Sequence, residues 1–280
     1  MLSASYLLNR RPLRDDPARR GSYTQAIMRA VDHDNEAGSR EAKAALFDAL
    51  AEVAGALSAG RRVEIVDLLA QGERSVDEVA GETGQSMANA SHHLRALARA
   101  GLVRSRRETT RIYYRLAGEE VEELWAALRK VAEAERDDLG RLVGTYLGPI
   151  DDLEVVSRSE LLERLKAGAV TVLDVRPVAE YHAGHIPGAR SVPLGDLGVA
   201  LGELPPDLEV VAYCRGPYCV FAPAAVRALR NAGFAAQRLE DGFPEWRRAG
   251  LPIAGGDESG QLRPRPTLPR GARRHSSSSG

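Results

Sequence analysis

Residues 85–117 read QSMANASHHLRALARAGLVRSRRETTRIYYRLA, and their spacing decides the first half of the chain. Ala90, Leu94 and Leu97 recur at helical intervals, which predicts a helix from Met87 to Arg99 with Ser86 as its cap and Gly101 as its stop. From Leu102 to Leu116 the pattern changes to β-branched and aromatic residues, Val103, Ile112, Tyr113 and Tyr114, which predicts a two-stranded hairpin. Upstream, Ser75 followed three residues later by Glu78 spells a capping box for a helix over Val76 to Thr83, and Gly84 breaks it from the next. Further out, Glu41 to Leu57 and Arg61 to Leu69 carry apolar residues at helical spacing, and a last helix is expected from Glu119 to Tyr146.

Helix, turn, helix and hairpin in that order make a winged helix-turn-helix, and the charge suits DNA. Between Gly84 and Arg115 seven arginines face the single acid Glu108. The whole chain hides this, since its 38 basic and 39 acidic groups leave a net charge of -1. A 100° step per residue turns Ala88, His92, Arg95 and Arg99 away from the apolar face, with Asn89 at its edge. Ser86, Asn89, His92 and Arg95 on this helix, with Arg107 and Arg111 on the wing, are the candidate contacts to double-stranded operator DNA. His93 lies nearer the core and is expected to pack or to touch phosphate.

At 280 residues the chain has room for two cores, and its 44% hydrophobic and 28% charged residues are those of a globular protein. The expected layout is a flexible leader over 1–38, a DNA-binding and dimerisation domain over 39–147, an α/β domain over 153–254 and a disordered tail over 255–280. Gly148-Pro149 marks the boundary between the ordered halves. The first residues lack the apolar core of a secretory signal and no run approaches 18 apolar residues, so cytoplasmic residence and no membrane partner are expected.

In the second half, short apolar runs at Val170 to Val175, Ser191 to Leu194, Glu209 to Tyr213 and Ala236 to Leu239 alternate with helical segments at Ser159 to Ala167 and Pro223 to Ala232. That alternation predicts a parallel sheet in an α/β domain. Cys214 follows one strand directly and opens the loop Arg215-Gly216-Pro217-Tyr218-Cys219-Val220, which runs into a helix near Phe221. A strand end, a tight loop and a helix start gather backbone N–H groups into an anion cradle. A cysteine at its centre is expected to lose its proton readily and to hold a persulfide, with the Arg215 guanidinium on an oxyanion such as thiosulfate. A cysteine at a strand end also serves as a plain core residue. The chain has two cysteines, too few for a disulfide framework or a cysteine-built zinc site. Cys219 could resolve a modified Cys214, although a loop curled round an anion tends to point side chains outward, beyond the roughly 7 Å limit for a bridge.

Residues 40–117 resemble the ArsR family of dimeric bacterial repressors. The cysteines of that family's soft-metal motif are replaced here by Ser75 and Asp77, and no histidine lies between Glu119 and Tyr146 for its other metal site. The resemblance therefore implies DNA binding and homodimerisation without metal sensing, the latter through a stripe of Leu124, Leu128, Val131, Leu139 and Leu142 on the terminal helices. Residues 153–254 resemble the rhodanese sulfurtransferases through Leu173-Asp-Val-Arg-Pro177, Gly184-His-Ile-Pro-Gly-Ala189, Cys214-Arg215, Asp241-Gly-Phe243 and Trp246. This resemblance implies Cys214 as nucleophile, Gly216 to Val220 as cradle, and structural roles for Asp174, Arg176 and His185. Val220 stands where related phosphatases carry arginine, which disfavours phosphate chemistry. His182 and His185 sit in a turn without a third ligand nearby, so neither metal nor cofactor is expected.

These readings combine into a homodimeric DNA-binding regulator that senses or transfers reactive sulfur through Cys214, its small-molecule partner a sulfane-sulfur donor such as thiosulfate or a thiol persulfide. The alternatives are a working sulfurtransferase with an autoregulatory DNA-binding half, and a repressor whose rhodanese fold is inert.

Overall fold

The computed structural model describes residues 38–149, 153–205 and 207–256. The expected leader and tail lie outside the described residues, apart from Gly38, Gly255 and Gly256. Two compact units are present, one ending at Leu57 and one beginning at Ser58. In the first, helix α1 (Arg40–Gly55) starts where the Ser39 hydroxyl accepts the Ala42 N–H at 3.0 Å, and Leu46, Phe47 and Leu50 on it are exposed.

The second unit opens with α2 (Gly60–Leu69), β1 (Arg74–Ser75), α3 (Val76–Glu82), α4 (Met87–Arg99), β2 (Val103–Glu108) and β3 (Arg111–Leu116). The capping box forms as its spacing requires, with the Ser75 hydroxyl on the Glu78 N–H and the Glu78 carboxylate on the Ser75 N–H at 2.7 Å. Ile65, Ala90, Leu94 and Leu97 pack at 0% exposure beneath an antiparallel sheet of order β1-β3-β2, in which β2 and β3 are the expected wing. The single last helix foreseen over Glu119 to Tyr146 is instead two, α5 (Glu119–Glu135) and α6 (Leu139–Leu147). Arg136 turns to extended backbone, φ -106° and ψ 100°, and its guanidinium holds the Asp138 carboxylate at 3.0 Å. No apolar residue in Glu135-Arg-Asp-Asp138 is available to hold a continuous helix against the core.

The remainder is the α/β half: β4 (Val155–Val156), α7 (Arg158–Lys166), β5 (Val170–Asp174), α8 (Val178–Ala183), β6 (Arg190–Ser191), α9 (Leu197–Ala200), β7 (Glu209–Tyr213), α10 (Phe221–Asn231), β8 (Ala236–Leu239) and α11 (Phe243–Arg248). Its five strands run parallel in the order β4-β8-β7-β5-β6. The period of two along β7 divides the core. Val210, Ala212 and Cys214 face Ala222, Val226 and Leu229 of α10, while Val211 and Tyr213 face Leu161 of α7 and Phe243 and Trp246 of α11. The third strand is shorter and earlier than expected, because Pro193 has no N–H to continue the ladder. The short elements β1, β4, α8, α9 and α11 were not predicted, since none carries an apolar run or a period of its own. Among the described residues no helix is long and apolar enough to cross a membrane.

Candidate functional site

On α4 the buried stripe of Ala90, Leu94 and Leu97 leaves Ser86, Asn89, His92, Arg95 and Arg99 exposed along the opposite side. Ser86 also serves the helix itself, its hydroxyl accepting the Asn89 N–H at 3.3 Å. His93 is half-buried; burial first, then the neighbouring His92 and Arg62, push its pKa down. On the wing, Arg107 and Arg111 are exposed, the Arg107 Nε–H donates to the Thr109 carbonyl at 3.2 Å, and Arg111 stands 4.0 Å from Asp77. One of the seven arginines between Gly84 and Arg115 is committed to two acids. Arg106 is paired with Glu73 at 2.5 Å and with Glu108, and stacks 4.6 Å over Tyr113. Glu73 lies upstream of Gly84, and the antiparallel pairing of β1, β3 and β2 brings it there.

In the α/β half, Asp174 and Arg176 are completely buried. The Asp174 carboxylate receives the Arg176 Nε–H at 2.9 Å, an Nη–H at 2.6 Å and the Tyr213 hydroxyl at 2.6 Å. Arg176 reaches on to the Gly184 carbonyl at 2.7 Å and packs 4.4 Å from the Phe243 ring. His185 is likewise buried, stacked 3.7 Å on Tyr181 with its Nδ1 2.9 Å from the Tyr181 carbonyl oxygen. The pieces of sequence that flank the cysteine loop thus brace it from behind.

The loop itself begins at Cys214, 2% exposed. The Phe243 N–H binds the Cys214 carbonyl at 3.0 Å, and Gly242 lies so close that a Cβ there would come 2.3 Å from the Gly216 nitrogen and 2.4 Å from the Arg215 carbonyl carbon. The Cys219 N–H closes a turn on the Gly216 carbonyl at 3.1 Å. This turn carries the Cys219 side chain inward, so that it accepts a hydrogen bond from the Cys214 thiol. The expectation that Cys219 points away is therefore overturned by the turn. Burial pushes the Cys214 thiol well up, followed by the Cys219 contact, while the backbone N–H groups of Gly216 and Ala222 draw it back. Hydrogen bonding from Cys214 lowers the Cys219 thiol to about 7, against its own burial and helped by the backbone N–H groups of Phe221 and Arg215.

Arg215 lines the cavity at the loop and is also paired with carboxylates. Its guanidinium is held by the buried Glu180 of α8 at 2.5 Å and by Glu82 at 2.5 Å. Gly216, Pro217, Tyr218, Cys219 and Val220 line one side of a cavity of about 270 Å³. Its opposite wall includes Asp67 and Leu68 of α2, Glu82 and Thr83 at the end of α3, and Arg129 of α5. Burial pushes the Asp67 carboxyl up, while the Trp125 N–H at 2.9 Å and Arg129 draw it back.

Residues 60–105 match the arsR family of bacterial regulatory proteins, and residues 157–249 match the rhodanese-like domain. The HTH-type transcriptional regulator Rv0324 of Mycobacterium tuberculosis is 51% identical over 217 residues, spanning 78% of this chain and 95% of that protein. The chain belongs to the arsR-type regulators, with a rhodanese-like domain at its C-terminal end. A sulfurtransferase of Allochromatium vinosum is 33% identical to this regulator over 84 residues, 30% of this chain and 78% of that one. The solved homodimeric winged helix-turn-helix DNA-binding domain of Mb0332 from Mycobacterium bovis is 50% identical, covers 36% of this chain and 93% of that one, and has a TM-score of 0.34.

In this arsR-type regulator the two halves meet at the cysteine loop. The Gln71 amide donates to the Arg215 carbonyl at 2.9 Å, and the Tyr218 hydroxyl donates to Glu133 of α5 at 2.6 Å. Arg74 of β1 binds Glu180 at 2.5 Å and Glu82 at 3.2 Å, closing a ring of two cations and two carboxylates with Arg215. Arg129 pairs with Glu245 at 2.7 Å and Arg247 with Glu122 at 2.7 Å. None of these partners is adjacent in sequence, so they left no local signal.

Proposed function

We propose that this transcriptional regulator reads reactive sulfur at its cysteine loop and converts it into a change of DNA affinity. The observation that carries the reading is the cavity at the loop, walled on its far side by the helix-turn-helix half. A sulfur atom added there lands where Gln71, Glu82 and Glu133 hold Arg215 and Tyr218. Cys214, tucked under those contacts, is the residue whose conversion to a sulfur–sulfur bond is the signal, as a persulfide in the simplest case. Loading shifts DNA binding only by the difference in its stabilisation of the bound and free arrangements.

In this reading residues 39–147 bind DNA and dimerise and residues 153–254 handle sulfur. Ser86, Asn89, His92 and Arg95 enter the major groove while Arg107 and Arg111 hold phosphate. Leu124, Leu128, Val131 and Leu142, each 40% or more exposed in the single chain, supply the apolar surface for a second copy. The likeness to a sulfurtransferase favours one further reading, turnover of thiosulfate at the same loop.

Mass spectrometry after incubation with thiosulfate or glutathione persulfide, alongside a gel-shift titration, tests both readings. A sulfur-dependent mass change on the loop peptide together with altered DNA affinity supports the sensor. Sustained consumption of thiosulfate without a change in DNA affinity supports the enzyme. An unmodified loop removes both.

A further inference from the structure

The Arg215–Gly216 peptide has a partner at each end. Its carbonyl receives the Gln71 side-chain amide at 2.9 Å, from the turn between α2 and β1 in the helix-turn-helix half. Its N–H, that of Gly216, reaches the Cys214 sulfur, as does the N–H of Ala222. No peptide bond is cis among the described residues, and a trans peptide is planar with its C=O and N–H opposed, so whatever holds the carbonyl also aims the N–H. Gly242 closes one face of the same peptide, since a Cβ there would stand 2.4 Å from the Arg215 carbonyl carbon.

Gln71 is 2% exposed, and among the described residues its buried Oε1 has no hydrogen-bond partner. Burying an amide with one end unpaired is costly, and the bond that this side chain makes in return is the one to Arg215. The carbonyl opposite fixes the amide's orientation, because Oε1 turned toward it would set two acceptors face to face. On either side of Gln71, the Ala70 carbonyl accepts from Arg247 at 3.0 Å and Arg74 binds Glu180 at 2.5 Å. Those bonds dock the turn against α11 and α8 without touching the peptide, so docking alone does not call for the Gln71 amide.

We propose that Gln71 is a positioning residue of the sulfur site, supplied by the helix-turn-helix half, which holds the Arg215–Gly216 peptide with its N–H on the Cys214 sulfur. This rests on the reactive-sulfur reading above and names the residue through which that half enters the site. In loading, the Cys214 sulfur attacks the outer sulfur of a thiol persulfide. The donor's S–S bond breaks, its thiolate accepts the proton that Cys214 gives up, and a Cys214 persulfide remains. Negative charge on the attacking sulfur, and then on the persulfide, falls on the N–H that Gln71 aims. Without the amide the peptide can turn its carbonyl toward the sulfur, which sets an acceptor against that charge. Gln71 shares its turn with Arg74, which pairs with Tyr114 of the wing strand β3. A movement of the wing that withdraws Gln71 therefore weakens loading, and by linkage loading acts back on the same turn.

Full-length wild type, Gln71→Met and Gln71→Glu are treated with glutathione persulfide without oxygen, and loading of the loop peptide is timed by mass spectrometry. Methionine keeps the length and removes the donor, and is expected to slow loading about ten-fold, the effect of one hydrogen bond to a charged group. Glutamate is expected to load as slowly as methionine at about pH 8, where a carboxylate opposes the carbonyl, and to recover toward wild type at about pH 5, where the protonated carboxyl donates. Carbon-13 at the arginine carbonyls with nitrogen-15 in glycine leaves the coupled amides of Gly21, Gly216 and Gly271. The Gly216 signal is expected to shift on loading in wild type and to lose that response in Gln71→Met, which removal of a merely stabilising contact would not cause. Loading of Gln71→Met at the wild-type rate, a Gly216 response kept in that variant, or Gln71→Glu no faster than Gln71→Met at the lower pH overturns the proposal and leaves the sulfur sensor standing. No modification of wild type removes both.

Discussion

At the scale of single residues, a charge or a thiol behaves as its nearest donors and acceptors dictate. Cys219 shows this for reactivity. Its thiol is lowered to about 7 chiefly by the hydrogen bond from Cys214, so its alkylation rate should rise with pH along a titration centred near 7 and level off above it. Stopped-time labelling with iodoacetamide between pH 5 and pH 9 measures this, and a rate still climbing steeply at the top of that range would contradict the geometry. Asp174 shows it for stability. Its carboxylate receives Arg176 and the Tyr213 hydroxyl at 0% exposure, so removing it strands a buried guanidinium and a buried phenol. Asp174→Ala should cost about 3–5 kcal/mol, the range for breaking a buried pair from one side, read from the midpoint of a urea titration.

At the scale of elements, Gly242 sets the shape of the cysteine loop by close approach. With the Gly216 nitrogen 2.3 Å from where a Cβ would stand, Gly242→Ala must push the Arg215–Gly216 peptide away, and that peptide is the floor of the cradle. The expected outcome is loss of sulfur uptake and a drop of about 1–3 kcal/mol in stability, the usual cost of overpacking. The same variant with an unchanged uptake rate would show that the loop shape is irrelevant to loading. Legibility in the sequence also divides at this scale. Glu209 to Tyr213 is legible to the residue, since a β-branched and apolar run ended by turns has few alternatives, and Ala236 to Leu239 also keeps its expected bounds. Ser75 and Ser86 mark their helices because a cap is a local hydrogen bond. The break at Arg136 and the turn that closes Cys219 on Gly216 rest on contacts two and three residues long, which leave the apolar spacing on either side unchanged and so give no period to read. Nor is the fate of Arg215 legible, since its carboxylate partners lie 35 residues away at Glu180 and far upstream at Glu82.

At the scale of the whole molecule, the ring of Arg74, Glu82, Glu180 and Arg215 ties the cysteine loop to the end of α3, a short turn before the helix that would enter the groove. A signal that moves Arg215 must break or strengthen its bond to Glu82, and Glu82 keeps Arg74 as a second partner. Glu82→Gln weakens that link while leaving α4 and the wing arginines untouched. Its affinity for a DNA duplex selected from random sequences should therefore stay within about two-fold of wild type when the thiols are reduced, since Glu82 itself makes none of the expected DNA contacts. After treatment with glutathione persulfide, the shift in affinity should shrink by about 1 kcal/mol, roughly five-fold, which is the lower end of ordinary allosteric couplings. Fluorescence anisotropy on reduced and treated protein separates the two effects, and mass spectrometry on the same samples shows whether the loop was modified equally. Equal modification with a diminished shift places Glu82 on the route between the thiols and the groove. Equal modification with the full wild-type shift would mean that the coupling runs elsewhere, through the Tyr218 contact to Glu133 at the far end of the same loop.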